Sequence, residues 1–173
     1  MMNFKNMVLL ITLLFLVNSC CDCKKKKDDD EKQVIPIVGK IDWEDWKKNA
    51  GWKDYDAKSY LPDEMKIKKL NNIFKENNNL VFVVFSGNWC SDSEDEVPKF
   101  YKLMNQTGFN QDKISLYGVD RNKQEPTGEA VNFKIEKVPT VIILNDDNEV
   151  GRIVEFPFIS WEDDLLTIFE ELK

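Results

Sequence analysis

Residues 80–97 read LVFVVFSGNWCSDSEDEV, and the fold turns on this stretch. Leu80 to Phe85 is an unbroken apolar run rich in β-branched residues, the composition of a strand covered on both faces. From Ser91 the period changes. Val97, Phe100, Tyr101 and Met104 recur at helical spacing as far as Gln106, and acidic residues crowd the first turn, where the positive end of a helix dipole favours them. A buried strand therefore hands over to a helix between Ser86 and Cys90, which leaves Cys90 at the N-terminal end of that helix. A cysteine so placed faces unpaired backbone N–H groups that favour a thiolate, while Asp92, Glu94, Asp95 and Glu96 oppose it by like charge.

Outward from this junction the alternation continues. Upstream, Ile67, Leu70, Ile73 and Phe74 mark one face of a helix over 62–76, with Pro62 suited to its first turn. Downstream, 113–119 reads as a second strand, 128–133 as a short helix and 140–144 as a third strand. The turn Asn145-Asp146-Asp147-Asn148 leads into a strand over 149–155, and so short a connection implies an antiparallel hairpin. Ser160 caps a last helix, with Asp163 at its third position and Trp161, Leu165, Ile168, Phe169 and Leu172 on its apolar face. The expected class is α/β, a central mixed β-sheet flanked by helices on both faces. Short crossovers make the first strands parallel, and the hairpin makes the sheet mixed. Residues 39–61 form an N-terminal extension in which Asp42 caps a short helix carrying Trp43 and Trp46 and ending near Gly51. That aromatic spacing predicts a packing face docked on the core.

Residues 1–19 have the grammar of an export signal. Lys5 is the only charge in the polar head, and 7–17 (MVLLITLLFLV) is an apolar run too short to cross a bilayer as a helix. Val17-Asn18-Ser19-Cys20 resembles the lipobox of bacterial lipoproteins, which implies that Cys20 is lipidated and becomes the mature N-terminus. Residues 20–38 then form a charged tether around KKKKDDDE (24–31), and 39–173 the folded domain. The expected location is the cell envelope, lipid-anchored on a periplasmic or outer membrane face.

The chain carries 24 basic and 31 acidic residues for a net charge of -7, which argues against nucleic acid as a partner. With no histidine, Ser-His and Cys-His nucleophile pairs are excluded. Three of the four cysteines crowd at 20, 21 and 23 and the fourth lies 67 residues on, so no metal-ligand spacing exists. No metal and no cofactor are expected, and the chain is expected to be a monomer.

Gly87-Asn88-Trp89-Cys90-Ser91-Asp92-Ser93 at the strand–helix junction, Pro98 five residues after Ser93, and Val138-Pro139-Thr140 before the third strand together resemble the thioredoxin superfamily. Its hallmark is Trp-Cys-x-x-Cys at that junction with a later cis-proline. The resemblance covers roughly 62–173 and implies a thioredoxin-like fold. Cys90 is then the attacking thiol, steadied by a hydrogen bond from Ser93, and Trp89, Val138 and Pro139 meet the substrate. Two departures stand out. Ser93 replaces the resolving cysteine, and Val84 occupies the place where thioredoxins commonly carry a buried aspartate. A mixed disulfide on Cys90 would therefore need an external thiol reductant, or Cys21 or Cys23 reaching over the tether, to reopen it. Two functions follow: a monothiol oxidoreductase acting on protein or small-molecule disulfides, and a non-catalytic binding module for extracytoplasmic proteins.

Overall fold

The computed structural model describes residues 34–171. The expected signal, Cys20, Cys21, Cys23 and the tether to residue 33 lie outside the described residues. Strand β2 (Leu80–Ser86) organises the rest, because consecutive side chains of a strand point to opposite faces of its sheet. Leu80, Phe82 and Val84 enter one core, Val83 and Phe85 a second. Around it lie β1 (Gly39–Ile41), β3 (Ile114–Gly118), β4 (Thr140–Asn145) and β5 (Asn148–Val154), in the order β1-β3-β2-β4-β5. Only β2 and β3 are parallel. The sheet is thus already mixed between β2 and β4, before the closing hairpin. Asp146 and Asp147 turn that hairpin with positive φ at both positions, the backbone a two-residue turn requires.

The two faces are covered unequally. On one lie α2 (Glu64–Glu76), α3 (Ser91–Thr107) and α5 (Trp161–Glu170), which bury Leu70, Phe100 and Leu165 completely against Phe82. On the other is α4 (Glu129–Asn132), a single turn whose Ala130 joins Val119, Ile135 and Val138 over Val83, Phe85 and Ile142. The thick face is tied at its edge by Glu162, buried at 3 % exposure. Its carboxylate accepts the Tyr60 hydroxyl at 2.8 Å and the Asp63 N–H at 2.9 Å. Burial, then the hydrogen bond to Glu162, pushes the Tyr60 hydroxyl's pKa well above its ordinary value. Asp63 rather than Pro62 opens α2, its side chain accepting from the N–H groups of Met65 and Lys66.

The extension packs on the same thick face. Asp42 caps α1 (Trp43–Asn49) and Trp46 is fully buried. Strand β1, not expected from the sequence, adds antiparallel to β3. Gly118 permits this approach, since a Cβ there would collide with the Ile37 carbonyl oxygen. The packed body therefore begins before residue 39, inside the expected tether.

Candidate functional site

The loop between β2 and α3 is fixed residue by residue. Gly87 has no room for a side chain, because a Cβ would lie 2.7 Å from the Trp89 ring that covers it. The Trp89 indole N–H donates to the Val119 carbonyl at 2.9 Å, tying the ring to the end of β3. Asn88, 7 % exposed, accepts the Ile37 N–H and donates to the Ile35 carbonyl, each at 3.0 Å. Its own carbonyl accepts the Trp52 indole N–H at 3.1 Å. One asparagine thus joins the loop to the extension in both directions.

Cys90 is the N-cap residue of α3, and no side chain caps that helix. Its first-turn N–H groups therefore remain available to a charge placed beside the sulfur. The half-buried thiol packs against the thin-face core and donates to the Val138 carbonyl at 3.3 Å. The Val138–Pro139 peptide is cis, and the Pro139 carbonyl accepts the Glu155 N–H at 2.7 Å. The sequence separates Cys90 from Val138 by 48 residues; the fold brings the two into contact. Trp89, Cys90, Val138 and Pro139 form one site at the end of β2 and the start of β4.

Ser93 departs from expectation. Fully buried, its hydroxyl accepts the Gly87 N–H at 3.3 Å, and no hydrogen bond joins it to Cys90. The first turn of α3 aims it back under the loop instead of toward the sulfur, so it positions the loop. Val84 lies in the thick-face core, wholly buried, so no carboxyl group occupies that place.

Of the four carboxylates that follow Cys90, two are turned to other partners. Glu94 accepts the Lys53 N–H at 3.3 Å, and Glu96 accepts the Trp161 indole at 2.8 Å and the Lys99 ammonium at 2.6 Å. Basic groups approach from two sides. Lys137 pairs with Glu155 at 2.7 Å, and its pKa is raised chiefly by that hydrogen bond. Arg121 and Lys123 lie over the Trp89 ring, 5.1 Å and 5.9 Å from its centre. Asn88, Trp52 and Arg121 were not singled out by the sequence. Their roles depend on partners brought close by the fold.

A family model described as Thioredoxin matches residues 63–157, more than half of the chain. Among solved structures, a thioredoxin from Fasciola hepatica is 23% identical, with 60% of this chain and 91% of that one covered, at a TM-score of 0.41. Thioredoxin O2 from Arabidopsis thaliana in its oxidized state is 16% identical, covering 61% and 88%, at a TM-score of 0.39. A malarial protein is 24% identical, covering 54% and 97%, at 0.40. No curated protein matches the chain significantly.

Proposed function

The chain belongs to the thioredoxin family, and from that premise we propose that it is a lipid-anchored monothiol oxidoreductase of the cell envelope. The observation that carries this reading is the pairing of Cys90 with Val138: a lone thiol at an uncapped helix N-terminus, beside the backbone that precedes the cis-proline. As a thiolate, Cys90 attacks one sulfur of a disulfide, forming a mixed disulfide and expelling the other sulfur as a thiolate that takes up a proton. When the Cys90 thiol gives its proton to solvent to become the attacking thiolate, its bond to the Val138 carbonyl is lost, and the carbonyl is free to accept an N–H from the bound chain. Ser93 cannot resolve the adduct, having no sulfur. A second thiol, from an external reductant or from Cys21 or Cys23 on the tether, attacks it, restoring the Cys90 thiolate and carrying the substrate sulfur away in a new disulfide. The anchor rests on residues 1–20, an export signal followed by Val17-Asn18-Ser19-Cys20.

A second reading, a binding module without turnover, draws on the exposed Phe156, Phe158 and Ile159, an apolar run that begins one residue past Glu155, whose N–H donates to the Pro139 carbonyl. One experiment separates the two. The full chain is incubated with a disulfide-bearing peptide, quenched with acid and mapped by mass spectrometry. Oxidoreduction requires an adduct on Cys90 that added thiol reverses and that Cys90→Ser lacks; peptide retained equally by Cys90→Ser selects the binding module. Cys20→Ala should in parallel abolish lipid labelling and membrane retention, and unchanged retention would refute the anchor.

A further inference from the structure

We propose that Arg121 and Lys123 make the Cys90 site selective for disulfides that carry a carboxylate beside the sulfur bridge. The inference rests on the thiol-exchange reading above and names the substrate class of that site. Beyond β3 the chain folds into a tight loop closed by Asp120, whose carboxylate accepts the N–H groups of Asn122 at 2.8 Å and Gln124 at 2.9 Å. Backbone bonds from Asp120 N–H to the Gln124 carbonyl and from Lys123 N–H to the Asp120 carbonyl complete it. The loop holds both cations on the Trp89 ring, whose indole N–H is fixed by the Val119 carbonyl and which lies close over Gly87. Cation and platform are thus both preorganised, one residue from the thiol.

Charge separates these two residues from the other cations around the site. Among the described residues neither Arg121 nor Lys123 forms an ion pair, whereas Lys137 is neutralised by Glu155 and Lys99 by Glu96. In a chain of net charge -7, Arg121 and Lys123 over one aromatic ring are cations without an acidic partner among the described residues, and the neighbouring Asp120 carboxylate is turned to backbone N–H groups. A guanidinium whose carbon lies 5.1 Å from the ring centre, and which forms no ion pair among the described residues, has N–H donors left that match the two oxygens of a carboxylate. A disulfide whose carboxylate lies on those donors brings its sulfur toward Cys90. The exchange is unchanged in balance: the Cys90–sulfur bond forms as the substrate's sulfur–sulfur bond breaks, and the expelled thiolate takes a proton from solvent.

The carboxylate has two sources, a small thiol's own acid group or an aspartate or glutamate in a protein chain. Three small disulfides of matched size, with two carboxylates, two hydroxyls or two ammonium groups, are reacted with the full chain. Adduct formation is read at Cys90 by peptide mass spectrometry. The carboxylate probe should outpace the ammonium probe by roughly fivefold, the scale two exposed ion pairs supply, and the ratio should fall toward one in Arg121→Gln/Lys123→Gln. A wild-type readout needs no variant: raising salt from about 20 mM to about 500 mM should collapse the ratio. A disulfide peptide flanked by Asp, against its Asn counterpart, gives the second source: a preference there points to protein chains, and a preference confined to the small probes to small thiols. A ratio near one in the wild type, or one that the double substitution leaves in place, overturns the inference while leaving thiol exchange intact. No adduct with any probe overturns both.

Discussion

The two faces of the sheet divide the work of the molecule. On the thick face three helices and the Trp-rich extension enclose a core with Phe82, Phe100 and Leu165 fully buried, and the buried Glu162 fastens its rim. On the thin face one helical turn and two loops cover Phe85 and Ile142, and Trp89 and Cys90 lie at its border. Apolar burial scales with stabilisation, so the thick face supplies most of the folding free energy. The thin face needs only enough packing to keep Val138, Trp89 and Cys90 in register. A thiol set there can exchange partners without opening the main core.

Substitutions on either side test that division. The largest effect belongs to the thick face: Leu165→Ala should cost about 2–5 kcal/mol in chemical denaturation, with the Cys90 labelling rate of the still-folded protein unmoved. A matching loss of labelling would break the comparison. Asn88→Ala, at the link between the faces, removes the partners of the Ile37 N–H and the Ile35 carbonyl. A loss of about 1 kcal/mol follows for two part-buried hydrogen bonds removed, and limited proteolysis should cut first within 34–42. Trp89→Phe loses the bond to Val119. It should cost only about 1 kcal/mol, yet slow labelling of Cys90 severalfold; unchanged labelling would show that the thin face does not position the thiol.

The smallest effect is one of pH. Tyr60 is neutral in folded and unfolded states below its ordinary value of 10.0, and its folded value lies higher. Above pH 10.0 the unfolded chain ionises first, so stability falls as pH rises. The slope of stability against alkaline pH should be shallower in Tyr60→Phe than in the wild type, and equal slopes would remove Tyr60 from the account.

Elements whose signal is local were legible in the sequence. The apolar run of β2, the Asp42 cap, and Ser160 accepting from the Asp163 N–H are all as expected, because each depends on residues within a few positions. The Cys90 and Val138–Pro139 pairing was legible only through the family resemblance, since nothing local joins residues 48 apart. Strand β1 was hidden because Gly39-Lys40-Ile41 is too short to show a period and owes its place to the open edge of β3. Asn88 reads as an ordinary loop residue until Ile35 and Ile37, more than fifty positions upstream, fold onto it. Ser93 shows a different limit: spacing gave its place in the motif but not its orientation, which sends its hydroxyl to Gly87.

Whether the fold makes Cys90 a working thiol is decided by comparing that one cysteine in two states. A neutral disulfide probe is reacted at pH 7 with the native full chain and with the same chain in denaturant, and adducts on Cys90 are counted by mass spectrometry against an unstructured cysteine peptide in each solvent. Relative to the peptide, Cys90 should react faster in the native chain than in the unfolded one. Equal or slower native reaction would contradict it and leave the domain as a binding surface with an inert sulfur.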